Sequence, residues 1–482
     1  MNKYYITTAI PYVNGAPHIG HAYEFVITDV IARYHRLLGD DTLLLTGADE
    51  NALKNVQAAE KLGITTQELC DQNSEKFRNL FDLLGAKYDV FQRSSNKETH
   101  WPGSQKLWEL CNESGDIYKK SYRGLYCVSC ELFYSPEELV EGFCPIHKSK
   151  PDEVEEENYF FKLSKYQDQL LELIESDKIK IYPSFRKNET LAFIKQGLED
   201  ISISRSNERA KNWGVPVPED NSQRMYVWFD ALDIYQTGIG FGTDQEKYEK
   251  YWPANLHVIG KDIFRFHTIY WPAILLSAKL NLPKEILIHG FLNIGGEKMS
   301  KTLGNIVDPF EFIENLKKQK VELAADALRY YLLTQPIFDD GDFSEENFKE
   351  VYTANLANGL GNLVARVAKL CETNNITAPE FSAKGGPAPG WDPKMTIHLE
   401  AYKFNEALNH IWGEITEADK KVNEEKPWEL EGDKARGVLL DLVSRIQHVA
   451  FNLQPFLPET AEKILKQFSG QIKSSASLFP RI

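Results

Sequence analysis

The chain has 482 residues, 42% of them hydrophobic and 26% charged, and carries a formal net charge of −15. That length implies about two to four domains, with enough apolar mass for a sizeable core, and the acidic balance excludes a general electrostatic grip on nucleic acid, so RNA contacts are expected to be few and directed. No stretch reaches the roughly 20 apolar residues of a bilayer-spanning helix, and the start lacks the apolar run and cleavage site of a secretory leader, so a cytoplasmic, non-membrane protein is expected.

Residues 4–9 read as a strand, followed by a Pro/Gly turn, a helix over 18–38 and a second apolar strand over 42–47. This is how a parallel α/β nucleotide-binding sheet opens. Residues 117–160 break the rhythm with cysteines and acidic runs and read as an insertion. The rhythm returns with strands expected at 225–230 and 256–260, a helix over 262–279 and a strand over 285–289. After about 345 strands are expected to disappear, because Leu360, Leu363, Val364, Val367 and Leu370 recur at helical spacing. Residues 384–393, rich in glycine and proline, read as a linker.

His18 and His21 lie three apart at the start of the first helix and share a face. Free backbone N–H groups and the helix dipole make that end a seat for phosphate, and Gly20 leaves room for a flat ring against the backbone. Alone, such a pair is equally compatible with a metal pair or a surface accident. Lys298 and Lys301 sit in a second loop, flanked by glycines, where two ammonium groups can close over a triphosphate. Alone, that loop reads as a solvated turn. Together, at the two ends of a split α/β sheet, the motifs point to nucleotide chemistry.

Cys127 and Cys130, then thirteen residues, then Cys144 and His147 form a four-ligand set with zinc spacing. Four ligands leave no open position, so one structural Zn2+ is expected rather than a catalytic one. Cys70, Cys111 and Cys371 are isolated and are expected to be buried and inert.

The segments His18–His21 and Lys298–Thr302 resemble the two signatures of class I aminoacyl-tRNA synthetases, with Thr302 where the family has serine. Within that class the chain resembles methionyl-tRNA synthetases over essentially its full length, through TTAIPYVNGAPHIGH, YCVSCE with CPIH, ENYFF, SISR, VWFDAL, HVIGKDI, EKMSKTLGN, DALRYYLL and EEKPW. The resemblance implies activation of L-methionine by ATP, with Mg2+ on the phosphates, and transfer of the methionyl group to the terminal adenosine of tRNA(Met). It implies His18, His21, Lys298 and Lys301 as the catalytic groups. It places ATP against Asn14, His18, Gly20, His21, Lys261, Asp262, Lys298, Met299, Ser300 and Lys301. It assigns the methionine pocket to Ala9, Ile10, Tyr12, Asp49, Trp228, Ala231, Leu232, Tyr235 and His267, with Asp49 on the ammonium group. A polarizable thioether suits such aromatic walls, although Trp228 and Tyr235 taken singly read as core aromatics.

By the same resemblance Asn362, Arg366 and Trp428 read a CAU anticodon, amide and guanidinium groups bonding base edges and the indole stacking. Without it, the stripe Asn355, Asn358, Asn362, Arg366 reads as a solvated helix face. The implied architecture is α/β: a split Rossmann-type parallel sheet with a zinc-binding connective insertion, followed by an all-α anticodon-binding bundle. Expected domains are 1–116 (first catalytic half), 117–160 (insertion), 161–290 (rest of the insertion and second catalytic half), 291–345 (Lys298–Lys301 loop and stem-contact region) and 346–482 (helical bundle). The insertion is too short for a separate editing domain. The chain ends soon after the bundle, so a monomer is expected.

One departure stands out. Where the family reads Asp-Glu-His-Gly, this chain has Asp49, Glu50, Asn51 and Ala52. Asn51 cannot titrate as histidine does, and Ala52 lacks glycine's freedom. The altered loop leaves open a catalytically impaired paralogue acting as an RNA-binding or regulatory protein. A further rival is a cysteine-type enzyme, which would use zinc in the active site.

Overall fold

Lys3–Thr7 (β1) and Asp41–Ala48 (β2) are rich in apolar and β-branched residues and pair in parallel. The computed structural model, which describes residues 2–128, 132–145, 148–297, 306–378 and 390–482, sets them in a six-stranded parallel sheet. Its order is Val90–Arg93, β2, β1, Leu256–Gly260, Glu285–His289, Lys180–Tyr182. Side chains alternate between two cores, as the strand period demands. Ile6, Leu44, Val258 and Leu287 face one core, and Tyr5, Leu43, Leu45, Ile259, Ile286 and Ile288 the other. Ligand crevices in such sheets open at the strands' C-terminal ends, where the order reverses; here that point lies between β1 and Leu256–Gly260.

The helix Ile19–Leu37 (α1) joins β1 to β2 and is buried on most of its surface. Its outer side packs on the helix Ala324–Thr334, whose Arg329 is fully buried. The Arg329 guanidinium donates to Asp29 of α1 at 2.7 Å and to the carbonyls of Phe456, at 2.7 Å, and Pro455, at 3.0 Å. One side chain thus ties the catalytic sheet to the C-terminal helices.

The insertion is an antiparallel sheet: Ile117–Cys127 lies between Leu132–Tyr134 and Asp152–Phe161, and Ile201–Ser202 extends it. The chain leaves this sheet to place Lys180–Tyr182 at the edge of the central one, a strand too short and polar to stand out in sequence.

Two expectations are corrected. Residues 225–230 are not a strand. The strand is Asp220–Met225, which pairs antiparallel with Ser204–Ser206 outside the central sheet, and Val227–Ala231 is helical. A short apolar run does not distinguish strand from buried helix. The helix expected at 262–279 is present as one continuous run from Lys261 to Ser277, its pitch changing from a tight turn at Lys261–Ile263 through a π-helical Phe266–Tyr270 to an α-helical Trp271–Ser277. Pro272 has no N–H to return to the preceding turn.

The second correction concerns the C-terminal region. It is not wholly α-helical: Thr377–Ala378 pairs with Gly470–Gln471, and Tyr352–Gly361 is π-helical. Its main helices are Asn362–Thr373, Phe404–Glu425, Gly432–Leu453 and Pro458–Gln467. Pro393 begins the helix Pro393–Glu400, capped by Asp392, rather than ending a linker. The linker expectation at 384–389 lies outside the described residues. Among the described residues no helix is long and apolar enough to cross a membrane.

Candidate active site

The start of α1 carries the two histidines expected at the phosphate end. His18 Nδ1 accepts the Gly20 N–H at 3.1 Å, and the His18 N–H donates to His21 Nδ1 at 3.1 Å. The two rings lie 4.0 Å apart, and the edge of His21 meets Phe77 at 5.0 Å. Because both Nδ1 atoms accept, each ring carries its proton on Nε2. The capping bonds therefore select the tautomer in which Nε2 is the donor. The Ile19 N–H donates to the Val307 carbonyl at 3.0 Å, so the helix start is tied to the segment following residues 298–305. Lys298, Met299, Ser300 and Lys301 lie outside the described residues. Asn14 is exposed in the bend before α1.

Gly260 ends its strand in a crowded corner. A Cβ there would crowd Asp262 Oδ1, at 3.1 Å, and rest in ordinary contact with His289 Cε1, at 3.8 Å. Lys261 pairs with Asp340 at 2.7 Å. Sequence reading missed a buried pair here: Glu24 accepts the Ala9 N–H at 2.7 Å and meets His289 Nε2 at 3.0 Å, while His289 Nδ1 donates to the Gly290 carbonyl at 2.7 Å. Burial pulls the His289 pKa down, but Glu24 and that carbonyl outweigh it and raise it above the ordinary value. Glu24 and His289 are 265 residues apart, and no local pattern announces them.

Beside this corner the expected methionine residues converge. Tyr12 meets Trp228 edge-on at 6.1 Å, Trp228 stacks on Phe266 at 3.6 Å, and His267 is edge-on to Trp228 at 6.2 Å. Tyr235 Oη lies 2.7 Å from His267 Nε2, whose Nδ1 donates to the Ile263 carbonyl at 3.0 Å. Burial pushes His267 down to about 4, so the ring is neutral and the wall is uncharged. Ala231 and Leu232 are buried in the same cluster region, and Ala9 and Ile10 pack against that core. Asp49 bridges to Tyr12 through the backbone and is buried. Two residues sequence reading did not name also shape the pocket: Phe266, and Lys54, whose Nζ lies 3.1 Å over the Tyr12 ring.

The altered loop is firmly held. Glu50 is fully buried between Arg93 at 2.6 Å, Ser74 at 2.6 Å and Ser95, and Asn51 Nδ2 donates to Asp230 at 2.6 Å. Behind it burial, with Asp230 nearby, raises the Asp233 carboxyl well above the carboxylate range.

In the insertion, Cys127 and Cys144 are both buried and share a small core with Tyr134. A core of that size is poor support for a fold by itself and suits a cross-linking metal. Cys130 and His147 lie outside the described residues, and among the described residues no group of three or more His, Cys, Asp or Glu is placed to hold a metal. An ion pair of 3.2 Å between Glu138 and Arg265 joins the insertion to the pocket's π-helical segment. Cys70, Cys111 and Cys371 are buried, and burial pushes the Cys111 and Cys371 thiols up to about 12.

Far from the pocket, Asn362 is exposed at the start of its helix. Arg366 donates to Asp419 and Asn423, each at 2.8 Å. Trp428 is 51% exposed just beyond the helix bearing those partners. The π-helical turns over Tyr352–Gly361 take Asn355 and Asn358 off the regular three-and-four spacing of the expected stripe.

Comparisons with known proteins agree with this arrangement. A family model for class I tRNA synthetases (M) matches residues 4–154 and 134–368. The chain is 43% identical to a methionine–tRNA ligase of Brucella suis over 480 residues, covering 96% of this chain and 91% of the relative. It is 41% identical to that of Thermotoga maritima over 491 residues, covering 98% and 76%. Among solved structures, the Mycobacterium tuberculosis methionyl-tRNA synthetase bound by methionyl-adenylate superposes with a TM-score of 0.89 at 37% identity, covering 99% of this chain and all of that one. Its free state gives 0.82 at 34% identity, covering 100% of this chain and 98% of that one. The chain belongs to the class I tRNA synthetases, in the family of methionine–tRNA ligases.

Proposed function

We propose that the crevice at the C-terminal edge of the sheet activates methionine with ATP and charges tRNA(Met) in two steps. The observation that carries this is an aromatic wall (Tyr12, Trp228, Tyr235, His267) gathered beside a buried carboxylate (Asp49), with α1, which opens on His18 and His21, following the adjacent strand β1. The thioether lies along the aromatic wall and the ammonium group against Asp49. The methionine carboxylate attacks the α-phosphate of ATP in line, giving methionyl-adenylate and pyrophosphate. A carboxylate is already a nucleophile, so no protein base is required. His18 and His21 donate to the phosphate oxygens, Lys298 and Lys301 follow the developing charge, and rate comes from positioning and charge stabilisation. Mg2+ enters with ATP. The terminal adenosine of the tRNA then takes the methionyl group and AMP leaves.

Asn14, Gly20, Lys261, Asp262, Met299 and Ser300 contribute to the ATP side. A structural Zn2+ is held by Cys127, Cys130, Cys144 and His147, a reading supported by the shared burial of Cys127 and Cys144. Asn362, Arg366 and Trp428 read the CAU anticodon, supported by the exposure of Asn362 and Trp428. The enzyme acts as a cytoplasmic monomer, with domains 1–116, 117–160, 161–290, 291–345 and 346–482.

The test is ATP–pyrophosphate exchange against each of the twenty amino acids without tRNA. Methionine alone is expected to support exchange. Exchange with another amino acid would overturn the specificity, and none in a folded, zinc-loaded sample would favour the impaired paralogue.

A further inference from the structure

We propose that Asn51 is a positioning residue for methionine, acting on the pocket wall through Asp230. The inference rests on the pocket reading above and adds a part to it. Asn51 stands two residues after Asp49. Its Nδ2 donates both to the Ser94 carbonyl, at 3.0 Å, and to Asp230 Oδ2, at 2.6 Å. Both partners only accept, so the amide has one permitted orientation.

The other Asp230 oxygen takes the His100 Nε2–H at 2.7 Å, and His100 Nδ1 lies 2.7 Å from the Thr237 hydroxyl. Ser94, Asn51, Asp230, His100 and Thr237 thus form a continuous frame, each at most 7% exposed. Asp230 lies between Trp228 and Ala231, and Thr237 lies two residues after Tyr235. The frame therefore grips both turns of the pocket wall and fastens them to the loop bearing Asp49.

The substrate's ammonium and thioether ends contact different chain segments. The Asn51–Asp230 bond sets the distance between those segments. A charge-assisted bond in a water-excluded interior is strong and directional, and small misplacements of substrate-positioning groups are costly. Deleting the amide leaves Asp230 without one of its short-range donors and frees the wall to move relative to Asp49. ATP is gripped elsewhere, at the start of α1 and the strand ends, so its binding does not depend on the frame.

The test titrates methionine and ATP separately in pyrophosphate exchange with the full chain. Asn51→Ala is expected to raise KM for methionine at least about tenfold, the effect of losing one hydrogen bond to a charged group, and to leave KM for ATP unchanged. Asn51→Asp keeps the shape, loses both donors and is expected to do at least as much damage. Thr237→Val cuts the frame at its far end and gives the same split more weakly, and it decides the matter if the Asn51 variants do not fold. An unchanged KM for methionine, or KM for methionine and ATP rising together, overturns the inference. Failure of the wild-type chain to exchange with methionine would instead remove the pocket reading itself.

Discussion

Tyr235 Oη donates to His267 Nε2 at 2.7 Å, with both side chains 1% exposed. Burial pushes His267 down to about 4, and it pushes the neighbouring His257 well below its ordinary value. An unfolded histidine binds its proton near 6.5, so between that pH and about 4 the unfolded chain holds a proton that folded His267 refuses. Its contribution to stability is fully present above about 6.5 and is lost as pH falls toward 4. The thermal midpoint should drop through this window in the wild-type chain and drop less steeply in His267→Gln. Equal slopes would remove His267 from the linkage.

His18 has two duties that substitution can separate. Its ring caps α1, and the proposed function gives its Nε2–H to phosphate. His18→Ala should lose about 1 kcal/mol of stability from the cap and about 10²–10³-fold in exchange rate. Asparagine is a good N-cap, so His18→Asn should recover the thermal midpoint without recovering the rate. Recovery of both would show that capping alone explains the residue.

Arg329 makes its bonds to Asp29, Phe456 and Pro455 with no solvent access. Arg329→Met leaves Asp29 with Arg33 as its remaining cation, at 2.7 Å. Breaking a buried pair costs about 3–5 kcal/mol; with Arg33 retained, the lower end is expected, read as a reduced urea midpoint. A midpoint equal to that of wild type would mean Arg33 compensates fully.

The purified chain should contain one zinc ion, counted by elemental analysis. Cys144→Ser should abolish it and lower the thermal midpoint, while the wild-type chain stripped by chelator should regain its midpoint on adding zinc. A zinc-free wild-type chain with an unchanged midpoint would remove the metal from the structure.

The strand–turn–helix that carries His18 and His21 was legible because its signal is local. β1, the turn and α1 are contiguous, and His18 and His21 are three residues apart on a face that geometry dictates. The proposed methionine wall rests on resemblance, since Trp228 and Tyr235 by themselves look like core. What stayed hidden is non-local. Asn51 meets Asp230 across 179 residues, and Glu24 meets His289 across 265. The edge strand Lys180–Tyr182 carries too few residues for a period to show. The misplaced strand at 225–230 failed for a different reason: Val227, Trp228 and Phe229 are buried in a helical turn, and a fully buried run has no polar alternation to read.

α1 runs 19 residues without a break, a rod of about 28 Å at the helical rise. His18 sits at its front, Asp29 is clamped by Arg329 near its middle, and Tyr34 lies against Trp391 toward its rear at 5.4 Å. A clamp near the middle of a rod is the natural fulcrum for any tilt of it. A tilt of about 5° there would swing the phosphate end by roughly 1.3 Å over the intervening ten residues at that rise. A displacement of about 1 Å at a reacting centre can change a rate about a hundredfold. A shift of the helical region that carries Pro455 and Phe456 would therefore reach the start of α1 by leverage along a single stiff element.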